Sequence, residues 1–304
     1  MNEHTLLSGP HHPSQVMIMF RKLLLGISAF SLILLISYLG IKFINSRFDI
    51  FQSATPVFPN GIANGRWYGY KVLEFKFDGV DAKIVLPNKP KKQKYWIWRT
   101  QFWNLSPQVD TGLLALGYYV VFVDVADLYG NSVARARFNK FYKYLHTKFH
   151  LNKKVVLEGL SRGGLDAYNW AAENPEKVSC IYADAPVCDI KSWPGGLGNG
   201  NGSRSDWRKC LKAYDVNETT VGNLRNLPIY TCIKLAKAKV PVMHLCGDKD
   251  KVVPCLENTF ILAKTYRKAG GEIQIIVKKG IGHQPHGLDN PKPIIDFILK
   301  NSNS

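Results

Sequence analysis

The sequence predicts an α/β fold in which a mostly parallel sheet is covered by helices on both faces. Three observations lead to this prediction. Continuous apolar runs typical of buried parallel strands alternate with helix-like segments along most of the chain. Of the 304 residues, 46% are hydrophobic, which is enough for one sizeable core. A serine between two glycines, in Gly159-Leu160-Ser161-Arg162-Gly163, stands where a strand-like run gives way to a helix-like run.

The first 46 residues differ in hydropathy from the rest and are predicted to form a tail with a membrane anchor. After Arg21-Lys22, residues 23–41 carry no charge and are rich in Leu and Ile. This run is long enough to cross a bilayer as a helix, which predicts a signal anchor over residues 23–44. Basic residues before it favour a cytoplasmic N-terminus and an exported domain, periplasmic or extracellular. Cleavage of the segment as a signal peptide, followed by secretion, is the alternative.

Strand and helix signals alternate after residues 47–66, which are predicted to be a linker. Residues 67–304 are predicted to form one catalytic domain that opens with a hairpin turning at Asp78-Gly79. The later elements are predicted in this order: a strand at 95–98, a helix at 106–117, a strand at 118–125, a helix at 131–149, the strand and helix on either side of Ser161, a strand at 178–187, a strand at 240–246, a helix at 256–269, a strand at 272–280 and a helix at 291–300.

An insertion interrupts this alternation at about residues 189–239. It carries the run WPGGLGNGNGSRSDW, which is rich in glycine, and further aromatic residues. A long excursion of this composition between two core strands predicts a lid that shapes the substrate site. A solvated surface excursion is the alternative.

The charge and the cysteines limit the classes of partner. The formal net charge is +17, but neither an aromatic-interleaved basic platform nor a zinc-knuckle spacing accompanies it, so nucleic acid is not predicted as a partner. The six cysteines form no C-x-x-C pair, so no metal site is predicted. Four cysteines lie in or near loops, where an exported domain could hold one or two disulfides: Cys188, Cys210, Cys232 and Cys255.

The glycine-flanked serine predicts a nucleophile. A strand that turns sharply into a helix pushes the side chain at the turn outward and crowds the positions two before and two after it. Gly159 and Gly163 stand at those two positions around Ser161. A turn of the same composition without catalytic function is the alternative, and an acid and a histidine in the right places would decide between the two.

An acid and a histidine do follow, each after its own strand. The run LCGDKDKVVP offers Asp248 and Asp250, and the run KGIGHQPHG offers His283 and His286. Because a parallel sheet gathers the carboxyl ends of its strands at one edge, these side chains are expected close to Ser161. An imidazole that accepts the serine proton, oriented by a carboxylate, is what activates a serine for acyl transfer.

These motifs resemble those of the α/β-hydrolase family over roughly residues 70–300. GLSRG resembles its nucleophile elbow, GDKDKVVP its acid turn and GIGH its histidine loop. The resemblance implies a mostly parallel, eight-stranded sheet and a triad of Ser161, Asp250 and His283. Asp248, expected to fix the turn, and Asp184, which follows another strand, are the alternative acids, and His286 is the alternative histidine.

The resemblance also implies an oxyanion hole and a substrate pocket. One oxyanion donor is expected to be the backbone N–H of Arg162. The second is expected from the loop after the strand at 95–98, where Arg99 or Thr100 follows, although the usual H-G-G-G pattern is missing. Substrate contacts are expected from three aromatic or imidazole side chains: His286, Trp98 and Phe102.

The function that this resemblance implies is a cofactor-free serine hydrolase. We expect acyl transfer from an ester to water through an acyl-enzyme, with a small-molecule or carbohydrate ester as substrate and the membrane as a partner through the anchor. A serine peptidase or lipase of the same fold, a haloperoxidase- or lyase-like activity of the same triad, and a non-enzymatic, membrane-tethered binding protein are the alternatives.

Overall fold

The computed structural model describes residues 63–302, which form a sheet flanked by helices. The strands are β1 Ala63–Trp67, β2 Tyr70–Phe77, β3 Val80–Leu86, β4 Trp96–Arg99, β5 Tyr119–Val123, β6 Val155–Leu160, β7 Val178–Asp184, β8 Val242–Gly247 and β9 Ile273–Lys278. The α-helices are α1 Gln108–Ala115, α2 Ser132–Tyr144, α3 Gly163–Glu173, α4 Arg204–Tyr214, α5 Pro228–Lys237, α6 Thr259–Lys268 and α7 Lys292–Ser302. A π-helical turn, Leu145–Phe149, continues α2, and two 3-10 turns lie at Pro175–Lys177 and Val221–Asn223.

The sheet is parallel through its centre and antiparallel at one side. Its strand order is β1-β2-β3-β5-β4-β6-β7-β8-β9. The pairs from β1 to β5 are antiparallel, and those from β5 through β4 to β9 are parallel. The carboxyl ends of β6, β8 and β9 therefore open on the same edge of the sheet, and the loops that carry Ser161, Asp250 and His283 all leave from that edge.

Each face of the sheet has its own hydrophobic core. On one face, α2, α3, α5 and α6 pack against the strands, and on the other α1 and α7 do so. The central strands are buried on both sides, since every residue of β5, β6, β7 and β8 is buried. The prediction of a mostly parallel sheet with helices on both faces is confirmed.

The sheet has nine strands in the described range, one more than predicted. β1 occupies Ala63–Trp67, of which residues 63–66 belong to the stretch predicted as a linker, and pairs with β2 in register from Ala63 opposite Glu74 to Trp67 opposite Tyr70. Its pattern is mostly exposed, as suits an edge strand. An edge strand of this kind carries little apolar signal, so its sequence pattern predicts a linker rather than a strand.

The insertion after β7 is folded. Helix α4 buries Trp207 and Cys210. Helix α5 buries Ile229, Cys232 and Leu235 in the same core as α3 and α6. α5 is thus the crossover helix that a parallel step from β7 to β8 needs, and only the residues before it remain for the predicted lid.

Two predictions that concern export are contradicted, the membrane-anchored location and the disulfides. Across residues 63–302, none of the helices is long and apolar enough to cross a bilayer. This finding contradicts the predicted membrane-anchored location, which was based on hydropathy alone, and the anchor segment itself, residues 23–44, lies outside the described residues. All six cysteines are buried and unpaired, so the disulfides predicted among Cys188, Cys210, Cys232 and Cys255 are not formed.

The prediction that Trp98 contacts substrate is also wrong. Its side chain is 0% exposed and packs against Phe138, Phe141 and Trp170, with ring centroids 4.4, 5.6 and 5.3 Å away. β4 lies at the middle of the sheet, so alternate side chains of this strand enter the core beneath α2 and α3 rather than the edge where Ser161 lies.

We expect Trp98→Ala to lower the free energy of unfolding by about 3–5 kcal/mol, because it removes a large side chain from a filled core. Urea denaturation followed by circular dichroism measures this. Leu197→Ala is the control, since Leu197 is 65% exposed and its truncation should change stability by less than about 0.5 kcal/mol. Equal effects of the two substitutions would contradict the placement of Trp98 in the core.

Candidate active site

Ser161 lies in a strained turn between β6 and α3. Its φ of 50° is in the left-handed region, which is costly for a residue with a side chain. The turn is held by the Ser161 N–H, which donates to the Asp184 carbonyl at 2.9 Å, and by the Ser161 carbonyl, which accepts from Val187 and Gly164. A Cβ at Gly159 would lie 3.0 Å from the Gly163 carbonyl, so the chain can close this tightly only with glycine there.

Ser161, His283 and Asp250 lie in hydrogen-bonding contact. The Ser161 Oγ is 2.9 Å from the His283 Nε2, and the His283 Nδ1 is 2.8 Å from an Asp250 carboxylate oxygen. The other oxygen of that carboxylate accepts the N–H groups of Val252 and Val253, both at 2.8 Å. These bonds fix the orientation of the carboxylate, and the carboxylate in turn fixes the imidazole with Nε2 towards the serine.

Neither alternative acid contacts His283. Asp248 accepts the Gly280 N–H at 2.7 Å and so joins the acid loop to the loop after β9, the fixing role expected of it. Asp184 is fully buried at the end of β7, where it accepts the Gly287 N–H and lies 3.5 Å from the Lys278 Nζ.

His286 lies beside the reacting groups rather than in an open pocket. Its side chain is buried, its ring centroid is 5.0 Å from that of His283, and its Nδ1 is 3.6 Å from Asp184. Within residues 63–302, neither ring nitrogen has a hydrogen-bond partner. The two imidazole rings lie edge to face beside Ser161, and the substrate contact expected of His286 stays a prediction.

The two expected sources of oxyanion donors differ in the structure. The Arg162 N–H donates to no other described residue, which leaves it free at the start of α3. The Thr100 N–H donates to the Glu158 carbonyl at 3.0 Å, so its assignment as the second donor is wrong. The next residue is Gln101, whose N–H is likewise free of acceptors among the described residues and whose side chain packs beside Gly163.

Arg99, the other candidate for the second oxyanion donor, is the last residue of β4 and pairs with Glu158 of β6, so its backbone belongs to the sheet rather than to the loop. Its side chain is 0% exposed. Its Nη2 lies 2.5 Å from an Asp110 oxygen and 3.2 Å from Glu158. Burial disfavours the charged guanidinium, but these two carboxylates together raise the Arg99 pKa above its ordinary value. β4 ends beneath the site, so its last residue points into the protein.

The rim of the site is charged. The Arg162 side chain lies 3.6 Å from Asp127 and 3.5 Å from Asp206, and Lys209 contacts Asp127 at 2.8 Å. The guanidinium also lies 5.1 Å from the centroid of the Phe102 ring. Phe102 is half-buried beside Arg162, the residue after Ser161, and its substrate contact stays a prediction.

Sequence reasoning missed an acid below the nucleophile. Asp166 lies in the first turn of α3 and is 1% exposed. Burial raises the pKa of its carboxyl to about 8, although the Gln101 side chain donates a hydrogen bond to it at 3.1 Å. Asp166 is therefore protonated at neutral pH. Its burial depends on how α3 packs on the loop after β4, which no local sequence pattern reveals.

No group of side chains in the described range is arranged to hold a metal ion. A cavity of about 480 Å³ lies behind the acid loop, lined by Asp250, Cys255 and Phe260 among others, but not by Ser161. The reacting groups at the elbow are thus a serine, an imidazole and a carboxylate, together with two free backbone N–H groups.

A family model for the prolyl oligopeptidase family matches residues 136–303, which is more than half of the chain and includes Ser161, Asp250 and His283. The chain belongs to the prolyl oligopeptidase family. Its fold is the α/β-hydrolase fold, as the motifs predicted. No curated protein sequence matches the chain significantly.

Solved structures of the same fold include peptidases and smaller hydrolases. Pyrococcus horikoshii acylaminoacyl peptidase matches with a TM-score of 0.57 and 14% identity over 79% of this chain and 42% of its own. An S-formylglutathione hydrolase from Agrobacterium tumefaciens matches with 0.54 and 13%, over 79% and 96%. Est1E from Butyrivibrio proteoclasticus matches with 0.53 and 16%, over 81% and 100%. The chain thus spans less than half the length of the peptidase and nearly all of the other two.

We expect Asp166 to make the folded protein less stable as the pH rises. The unfolded chain loses this proton near the ordinary pKa of 3.8, whereas the folded protein keeps it until about 8, so unfolding releases a proton between these values. Stability therefore falls as the pH rises through that window. Asp166→Asn cannot titrate, and its urea midpoint should fall less steeply with pH than that of the parent. Parallel pH profiles would contradict the buried, protonated carboxyl.

Proposed function

We propose that the protein hydrolyses an ester of a water-soluble small molecule or carbohydrate through an acyl-enzyme on Ser161. The observation that carries the proposal is the continuous contact from Ser161 through His283 to Asp250 at a strained elbow. The match to the prolyl oligopeptidase family supports a serine hydrolase, and we propose the ester as the class of acyl bond.

The geometry supports an ordinary two-step acyl transfer. The Ser161 Oγ attacks the acyl carbon while its proton passes to the His283 Nε2, and Asp250 stabilises the imidazolium that forms. The negative oxygen of the tetrahedral intermediate is bound by the Arg162 N–H, with the Gln101 N–H as the second donor that we propose. His283 returns the proton to the leaving alcohol, the acyl-enzyme remains, and a water molecule then repeats the sequence to release the acid.

The charged rim favours a polar substrate over a lipid. Asp127, Arg162, Asp206 and Lys209 lie close together near the nucleophile. Bringing a long acyl chain against these groups would remove their hydration without replacing it. Hydroxyl groups of a sugar or a small polar alcohol can instead form hydrogen bonds with the carboxylates.

Peptide hydrolysis is the second candidate, and the family match is the observation that favours it. The carboxylates of Asp127 and Asp206 would suit a free α-ammonium group, although Arg162 and Lys209 already neutralise them. Esters need less activation than amides, because an alcohol is a better leaving group than an amine. For that reason we place ester hydrolysis first.

A labelling and turnover experiment on the full chain tests the proposal. A fluorophosphonate probe should label the parent and not Ser161→Ala. Short-chain p-nitrophenyl esters and acetylated sugars should be turned over faster than aminoacyl p-nitroanilides or peptides. Faster turnover of the amides would replace the ester proposal with the peptidase candidate. A folded parent that is neither labelled nor active would reject both.

We expect Asp250→Asn to lower kcat by about 10³–10⁴-fold, because an amide cannot hold His283 in the tautomer that accepts the serine proton. Asp248→Asn is the matched control on the same loop, since the Asp248 side chain accepts its hydrogen bond from the Gly280 N–H and an asparagine oxygen can accept the same bond, so its kcat should stay within about threefold of the parent. Steady-state kinetics with p-nitrophenyl acetate measures both. A larger loss in Asp248→Asn than in Asp250→Asn would move the acid role to Asp248.

A further inference from the structure

Arg99 is the most highly bonded buried side chain near the site, and the acyl-transfer steps above do not use it. Its guanidinium is completely buried at the end of β4. On one side it is held by carboxylates, with Asp110 from α1 and Glu158 from β6. On the other side it donates to three backbone carbonyls of the loop that follows β4: Phe102 at 3.0 Å, Leu105 at 2.7 Å and Ser106 at 3.5 Å.

The loop that Arg99 holds has an unfavourable backbone conformation. Phe102, Asn104 and Ser106 have φ values of 54°, 76° and 50°, and none of them is glycine. Each such residue costs about 1 kcal/mol or more, so a loop with three of them persists only where its surroundings impose the shape. Internally, one bond from the Leu105 N–H to the Phe102 carbonyl is the loop's own turn contact. The guanidinium fixes three backbone carbonyls of the loop, and Trp67 fixes its tip, because the Trp67 Nε1 donates to the Asn104 side chain and the Trp67 ring packs on Trp103.

The same side chain connects this loop to the strand that carries the nucleophile. Glu158, which receives one of the guanidinium bonds, lies in β6 three residues before Ser161. Thr100 reinforces the connection, since its hydroxyl oxygen lies 2.9 Å from the carbonyl oxygens of both Glu158 and Gly163 and can donate its one proton to either of them. Gln101 lies between Thr100 and the held carbonyls, so its position relative to Ser161 is set from both sides.

We propose that Arg99 is a positioning residue for the oxyanion hole. By joining the carbonyls of residues 102–106 to Asp110 and Glu158, it holds the Gln101 N–H at the distance from Ser161 at which the N–H binds the tetrahedral intermediate. The inference rests on the proposed function. In this proposal the buried Arg99 imposes the conformation of the loop. The loop has no glycine, so backbone freedom cannot supply that conformation.

A purely structural role makes a different prediction. Buried ion pairs often contribute little net stability, because the cost of removing the charges from water offsets their attraction. If Arg99 served folding alone, its replacement would reduce the number of folded molecules, and each folded molecule would keep full activity. If Arg99 positions a donor, folded molecules would lose stabilisation of the transition state while substrate binding stayed nearly the same.

The test uses Arg99→Lys in the full chain with p-nitrophenyl acetate. A lysine keeps the charge near Asp110 but cannot reach two carboxylates and three carbonyls at once. End-point labelling by the fluorophosphonate counts the competent sites. We expect kcat per labelled site to fall by about 10²-fold with KM within about threefold. We also expect the affinity for phenylboronic acid, whose adduct with Ser161 places an oxygen in the oxyanion hole, to weaken by a similar factor.

Arg267→Lys is the control, because Arg267 also donates to a backbone carbonyl, that of Ile273, but at the opposite end of the sheet. Its kcat and boronate affinity should match those of the parent. Asp110→Asn is the second variant, since it keeps the volume but removes a charge that holds Arg99. It should show the same pattern with a smaller loss, and it decides the question if Arg99→Lys does not fold.

The positioning role would be overturned if kcat per labelled site in folded Arg99→Lys equalled that of the parent. The total activity would then fall only as far as the labelled fraction falls. A parent that the probe does not label would instead reject the proposed function, before any comparison between variants.

Discussion

The whole site depends on one constraint, the tight turn that holds Ser161 in a left-handed conformation between β6 and α3. The turn is possible because Gly159 and the chain around Gly163 approach to within contact distance. It places the hydroxyl above the edge of the sheet and leaves the Arg162 N–H without a partner among the described residues. The long parallel pairing of β4, β6 and β7 keeps the turn from relaxing, so the strain is borne by the buried centre of the sheet rather than by a mobile loop.

Most of the parallel core could be predicted from the sequence, because a strand that is buried on both faces has an unbroken run of apolar residues. β5, β7 and β8 are of this kind, and the hairpin of β2 and β3 has its turn signal at Asp78-Gly79. β1 could not be predicted because four of its five residues, Ala63 to Arg66, are small or polar and largely exposed. The insertion could be predicted only in part. Its glycine-rich start indicates a loop, but its last part is α5, a crossover helix that packs in the core.

The triad residues were accessible to sequence reasoning because each follows a strand end, where topology alone brings them together. Positions around β4 were not. Three consecutive residues near the nucleophile differ in their surroundings. Trp98 packs in the aromatic core, Arg99 lies among buried carboxylates, and the Thr100 N–H donates to the Glu158 carbonyl. Which way a strand residue points depends on register with its neighbours, and the register between β4 and β6 cannot be read from either strand by itself. The burial of Asp166 could not be predicted either, because it depends on how α3 packs on the loop after β4.

The six cysteines lead to a consequence of a different kind. They are spread over β7, the segment after it, α4, α5, β8 and the acid loop, and every one of them is buried and unpaired. A thiol in such a place meets a reagent in solvent only when its surroundings open. The rate at which an alkylating agent modifies each cysteine therefore reports how often that part of the molecule opens. Cys246 and Cys255 flank Asp250, whereas Cys210 lies in α4. The modification rates of the first two thiols therefore report the opening of the acid loop, and that of Cys210 reports the opening of the insertion separately.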